Sequence, residues 1–150
     1  MENIEVRKAK REDSKMIWEI RNQPLARQNS NSRKELPFKE HDQWFENKYF
    51  KAGENFCFVL CSRGKVAGYC RFDFNVSEDD YVASIAIGAE HQGKGFGAAL
   101  LNQAINLAEI RKDIIAQTLK KNISSQKIFE KNNFEIYGED DSSYYFKLKK

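Results

Sequence analysis

Three things are scarce in this sequence, and each scarcity narrows the field. No apolar run approaches the roughly 20 residues that a membrane span needs, and the opening "MENIEVRKAKRED" is too charged for a signal peptide. The expectation is therefore a cytoplasmic protein with no membrane partner. Cysteine appears three times, at 57, 61 and 70, an odd count with no CxxC or Cys/His metal spacing. All three sit in strand-like apolar stretches and read as reduced core thiols, so no metal site is expected. Charge of one sign is lacking too: 25 Lys+Arg against 22 Asp+Glu leaves +3. With no arginine-rich tract or basic helix, that balance tolerates an anionic ligand and does not point to nucleic acid; it sets no oligomeric state.

What is present suits one domain spanning residues 1–150. A chain of this length with 41% hydrophobic residues can bury a core of its own. Alternating or β-rich stretches occur at "IEVRKA", "NFCFVLCS", "KVAGYCRFDF", "DYVASIAIG", "DIIAQTL", "FEIYG" and "SYYFKLK", which predict seven strands. Helical patterns occupy 12–21, 39–50, 96–110 and 124–132. The third is the clearest, with Leu101, Ala104, Ile105 and Ala108 along one face. "SRGK" at 62–65 predicts a two-residue hairpin turn. Residues 26–38, "ARQNSNSRKELPF", are polar and read as a long loop of the kind that often carries function. The order β, α, α, β, β, β, α, β, α, β, β predicts an α/β fold with a mixed sheet.

The stretch "HQGKGFGAALL" at 91–101 places three glycines between the strand "ASIAIG" and the front of a helix. A helix N-terminus offers unpaired N–H groups and a positive dipole, and glycines on its approach let phosphate oxygens reach them. A ligand-free glycine turn is the alternative. Two nucleotide motifs can be tested against the letters. No run has the P-loop spacing. Gly93, Gly95 and Ala98 satisfy GxGxxA, but the acidic residue at the right distance, Asp113, opens the next strand where the dinucleotide fold needs one at its far end.

Gln92-Gly93-Lys94-Gly95-Phe96-Gly97 resembles the Q/R-x-x-G-x-G/A signature of the GNAT superfamily of acetyl-CoA-dependent N-acyltransferases. "IIAQTLKKNISSQKIFEKNNFEIYG" is similar to that family's strand, asparagine, short helix and closing strand, and "KVAGYCRF" to its third strand. The likeness is strong over about 55–137. It implies a single GNAT-type domain, with a mostly antiparallel sheet of about seven strands, about four flanking helices and splayed central strands. It also implies acetyl-CoA as cofactor. Its pyrophosphate would lie on the N–H groups of Gln92, Gly93, Lys94, Gly95, Phe96, Gly97 and Ala98. The strand Ile85-Ala86-Ile87 would pair with pantetheine through Ile85 and Ile87. Asn122 would hydrogen-bond the pantetheine arm near the point where the fourth and fifth strands splay apart, Ser125 would take the place of the family's small cofactor-binding residue, and Lys127 or Lys131 would reach the 3′-phosphate. Asn122 also suits the N-cap of the helix that follows, and the two lysines also suit a solvated face.

The sequence departs from the family where Phe129 replaces a tyrosine whose hydroxyl would protonate the leaving thiolate, since phenylalanine has no proton to give. Asn133 replaces a glycine before Phe134, a milder change because asparagine tolerates the left-handed conformation. His41 in "HDQWF" lies in the region that borders the acceptor pocket in this superfamily and is the candidate base; a satisfied histidine beside a core tryptophan is the other reading. His91 reads as a surface loop residue.

The segment "WEIRNQPLARQNSNSRKELPFKEHDQWFENK" resembles acetyltransferases of nucleotide-linked amino sugars, through "RN", Arg27 to Ser30 and "HxxWF". The resemblance implies a sugar-nucleotide amine as acceptor, with Arg21 and Arg27 at a diphosphate, Asn22 on sugar hydroxyls and Trp44 or Trp18 on the base. Trp18 also fits a core position. Arg27, Arg33 and Lys34 against the single Glu35 favour an anionic acceptor. A protein N-terminal or ribosomal-protein acetyltransferase, or a non-catalytic acetyl-CoA sensor, would share the same cofactor half.

Overall fold

The computed structural model describes residues 3–29, 34–51 and 53–150. Seven strands form where the patterns predict them: β1 (Ile4–Lys8), β2 (Phe56–Ser62), β3 (Lys65–Asn75), β4 (Asp80–Ile87), β5 (Ile114–Leu119), β6 (Glu135–Glu139) and β7 (Ser143–Leu148). The helices among the described residues are α1 (Ser14–Arg21), α2 (Pro24–Gln28), α3 (Phe38–Glu46), α4 (Phe96–Ala108) and α5 (Ile123–Lys131). The short α2 lies partly inside the expected loop. It starts on Pro24, whose fixed φ and missing N–H suit a first helical turn. Beyond α3 the chain continues as a π turn over Asn47–Lys51.

The strands form one sheet in the order β1-β2-β3-β4-β5-β7-β6. Only β4 and β5 run parallel. Helices cover both faces, which explains why "FCFVLC" is apolar without alternation. Phe58 and Leu60 of β2 point into a core with Leu100, Leu101 and Ala104 of α4. Cys57, Val59 and Cys61 point the other way, against Ile17 and Ile20 of α1 and Phe45 of α3. The three cysteines are buried free thiols, and burial pushes the Cys57 thiol up to about 12, far from thiolate reactivity.

The hairpin closes between Ser62 and Lys65. Both Arg63 and Gly64 have positive φ, 54° and 80°, the twist a two-residue β-turn requires. Asn133 adopts φ 68° at the end of α5, so the turn survives without glycine. On the α1 side, Arg7 forks onto Asp13 at 2.7 and 3.0 Å, and Arg11 reaches Asp42 of α3 at 2.8 Å. These pairs fix α1 and α3 over the sheet. β4 and β5 pair only through Tyr81 with Ile114 and Val82 with Ile115, then part.

Candidate functional site

Where β4 and β5 part, a cleft of about 640 Å³ opens, and it shares Ile87, Gln92, Ser124 and Ile128 with a smaller hollow of about 230 Å³ at the glycine loop. The loop end is built from main chain. Gly95 is the N-cap of α4 at φ 78°, with no side chain capping the helix; the first bond of the helix runs from Ala99 N–H to the Gly95 carbonyl at 3.3 Å. The N–H groups of the turn before it therefore have no partner within the helix. A Cβ at Gly93 or Gly95 would meet nothing within 4 Å, so the loop faces open space and the dipole of a 13-residue helix. Gly97 differs, because a Cβ there would overlap the Ile128 side chain. That glycine lets α4 and α5 pack close. Phe96 offers only its amide, since its ring is buried in the core and stacks on His91 at 5.9 Å. Gly93, Gly95, Phe96, Gly97 and Ala98 line the hollow together with His91, Lys127 and Lys131, and the two lysines are exposed. The Lys94 ammonium lies 5.7 Å from the Phe96 ring centroid and is not on that wall.

Alternation along β4 decides which groups face the gap. Tyr81 N–H donates across to the Asp113 carbonyl at 3.0 Å, so the main-chain groups of Ile85 and Ile87 turn the same way, toward the opening. The Gln92 side chain donates to the Ile87 carbonyl at 2.8 Å. Ala86 is paired with Tyr69 of β3 and borders the cleft by its side chain alone. Asn122 caps α5, its Oδ1 accepting from Ser125 N–H at 3.1 Å, and both residues line the cleft. A phosphate-bearing chain fits these features: a cradle free of Cβ atoms, flanking lysines and a strand edge left open.

The other end of the cleft is built from side chains. Arg21, Asn22 and Arg27 line it, as do Lys34, Tyr69 and Arg71. Asn22 is engaged on the backbone of Leu36, donating to its carbonyl and accepting from its N–H, both at 2.8 Å. Trp18 donates to the same carbonyl at 2.6 Å. These bonds pin the chain leading into α3, so Asn22 serves the wall rather than a ligand's hydroxyls. Arg27 Nε donates to the Asn22 carbonyl at 3.0 Å and its fork lies 4.0 Å from Glu35. Ser30 and Arg33 lie outside the described residues.

His41 and Trp44 correct the expectations placed on them. His41 has no exposed surface and both ring nitrogens are engaged. Arg21 can only donate, so Nδ1 accepts from its guanidinium at 3.0 Å. Nε2 therefore carries the hydrogen, donated to the Ser14 carbonyl at 3.0 Å. Burial, then the Arg21 charge, lower its pKa to about 4. A ring that is neutral, enclosed and fully bonded cannot collect a proton from an acceptor in the cleft; its work is to hold Arg21. Trp44 does not line the cleft either. The Arg21 guanidinium lies 4.4 Å from its ring centroid and that of Arg71 5.2 Å, so the indole serves arginines rather than a nucleobase.

The two arginines differ. Arg71 is neutralised by Asp73, which also accepts from the Tyr49 hydroxyl at 2.6 Å. Arg21 has no acidic partner among the described residues, and burial, with help from Arg71, lowers its pKa. Arg71 and Tyr69 are the site residues that motif reading passes over. An arginine inside the otherwise apolar "GYCRFDF" is the signal that marks one of them. Phe129 lines the cleft and is buried against Phe134 and Phe146.

The acetyltransferase (GNAT) family model matches residues 15–134. Among curated proteins the chain matches none. Among solved structures, an N-acetyltransferase from Staphylococcus aureus Mu50 is 26% identical with TM-score 0.84, covering 98% of each chain. A putative acetyltransferase from Salmonella typhimurium, with its cofactor acetyl-CoA, is 21% identical with TM-score 0.81 over 97% of this chain and 93% of that one. The spermidine N-acetyltransferase from Vibrio cholerae, in complex with CoA and spermine, is 19% identical with TM-score 0.81, over 97% and 95%.

Proposed function

The chain belongs to the acetyltransferase (GNAT) family, and from that premise we propose that its acceptor is a small anionic amine, a nucleotide-linked amino sugar. Acetyl-CoA is the cofactor, and when bound it supplies an activated acetyl thioester. In this reading the glycine loop from Gln92 to Ala98 holds its diphosphate, Lys131 stands near the 3′-phosphate, and Ile85 and Ile87 offer their open edge to the amides of the arm. Asn122 and Ser125 border that arm from α5.

The observation that carries the acceptor assignment is Arg21, a half-buried guanidinium on the cleft wall with no acidic partner among the described residues. Such a group matches a carboxylate or phosphate in geometry and charge. Arg27 and Lys34 join it on the lining, against Glu35 and Glu40, while Arg71 is already matched by Asp73; one positive charge remains in excess. That surplus suits a diphosphate and disfavours a polycation such as the spermine bound by the Vibrio cholerae enzyme. It also addresses the missing base. Neighbouring positive charge lowers the pKa of an acceptor ammonium, so the free amine needed for attack is produced by the surroundings rather than by His41.

Initial rates with a UDP-linked amino sugar, the same sugar without nucleotide, a ribosomal-protein peptide and spermidine test the proposal. The nucleotide sugar should be fastest. Arg21→Gln should raise its KM by about tenfold or more, the size of one charge-assisted contact, and leave CoA affinity unchanged. Preference for the peptide would move the chain to protein acetylation. Cofactor binding without turnover of any amine would make it a sensor.

A further inference from the structure

Thr118 sits on β5, three positions past the last residue paired with β4. Its side chain falls on the same face of the strand as Ile114 and Ala116, toward the α4–α5 core that holds Phe129. It is 4% exposed and lines the cleft, yet its Oγ1 has no hydrogen-bond partner among the described residues. A buried hydroxyl without a partner is costly, and valine would fill the same space without that cost. Two other polar side chains of the cleft lining are engaged elsewhere: Gln117 donates to Ser143, and Asn122 accepts from Ser125. Phe129, on the same wall, has no proton to offer.

We propose that Thr118 is a catalytic hydrogen-bond donor, its hydroxyl pointed at the sulfur of bound acetyl-CoA. In the transfer, the amine nitrogen bonds to the carbonyl carbon, the C–S bond breaks with its electron pair going to sulfur, and the proton given up by nitrogen ends on sulfur. Threonine is a far weaker acid than a thiol, so Thr118 keeps its proton. It stabilises the charge that develops on sulfur, where a donor fixed in a dry site is most effective. The proposal rests on the family's acetyl transfer and not on the nature of the acceptor, so failure of the sugar-nucleotide assignment leaves it standing.

Thr118→Val and Thr118→Ser separate the cases, because valine keeps the shape and serine keeps the hydroxyl. With CoA bound, the thiol should titrate about one pH unit higher in the valine variant than in the wild type, followed by the ultraviolet absorbance of the thiolate. Desulfo-CoA should bind both proteins equally. The valine variant should lose about tenfold or more in kcat with little change in either KM, and serine should recover most of it. An unchanged thiol titration in Thr118→Val would overturn the proposal. So would weaker desulfo-CoA binding, which would assign the hydroxyl to the pantetheine arm instead, or full activity without the hydroxyl.

Discussion

The two ends of the cleft are made of different material. The cofactor end uses backbone: the N–H groups of the first turn of α4, which have no partner within the helix, the edge of β4 at Ile85 and Ile87, and glycines that keep side chains out of the way. The acceptor end uses side chains from α1, α3, β3 and the segment around Leu36, each held by another. His41 holds Arg21, Trp44 lies against Arg21 and Arg71, and Asn22 holds Leu36. A backbone site depends on local conformation and tolerates changes at most neighbouring positions. A side-chain site depends on long-range packing, and its residues fall into those that face the ligand and those that only position them.

The sharpest way to break this comparison is at Gly95. Aspartate there would place a charge and a side chain in the open space over the helix start, at a φ of 78° that L-residues rarely adopt. Titration calorimetry on the folded variant should show CoA affinity falling by well over the tenfold that about 1.4 kcal/mol represents. Acceptor-end substitutions should leave that affinity alone.

A smaller effect should appear at His41 and should be visible in stability. Its folded pKa of about 4 lies below the ordinary histidine value of 6.5. Between those values the unfolded chain binds a proton that the folded chain refuses. Stability from this group is therefore complete above about pH 6.5 and declines as pH falls toward 4, with a limiting slope on the order of 1.4 kcal/mol per pH unit. The groups facing the ring are Arg21, the Ser14 carbonyl, Asp42 and Arg11. Asp13 and Asp42 have lowered pKa values, held down by Arg7 and Arg11, so their losses fall at lower pH. Denaturant unfolding of wild type and His41→Gln from pH 7 to pH 4 should show the decline only in the former. The loosened Arg21 should raise the acceptor KM severalfold, with kcat little changed; a collapse of kcat alone would restore the histidine as a base.

The smallest effect should be at Phe129. Tyrosine there would add a hydroxyl to a side chain 2% exposed and packed on Phe134 and Phe146. We expect kcat to change less than fivefold, measured under saturating acetyl-CoA. A large gain would show that the absent aromatic hydroxyl limits the reaction.

The same contrast explains what the sequence made legible. Seven strands, the hairpin at 62–65 and the glycine loop all follow from local patterns, because main-chain conformation is encoded by near neighbours. α2 is not legible because the first ten residues of "ARQNSNSRKELPF", all polar after Ala26, carry no apolar period, and the helix starts before that stretch, at Pro24. At the acceptor end, the "RN" and "HDQWF" segments meet through the bond between Arg21 and His41. Their roles are not legible in the sequence, because whether Asn22 or His41 faces a ligand or a carbonyl depends on Leu36 and Ser14, 14 and 27 positions away. In sequence Thr118 is an ordinary strand residue; only the packing around it leaves its hydroxyl without a partner.

The brief contact between β4 and β5 has a mechanical meaning as well. Two residue pairs are all that join the β1–β4 part of the sheet to the β5–β7 part through strand pairing; the shared core and the packing of α4 on α5 add to the attachment. Main-chain pairing is sparsest along the middle of the sheet. A cofactor laid into that gap would bridge both banks, so its binding energy would double as a tie across the line where strand pairing is briefest.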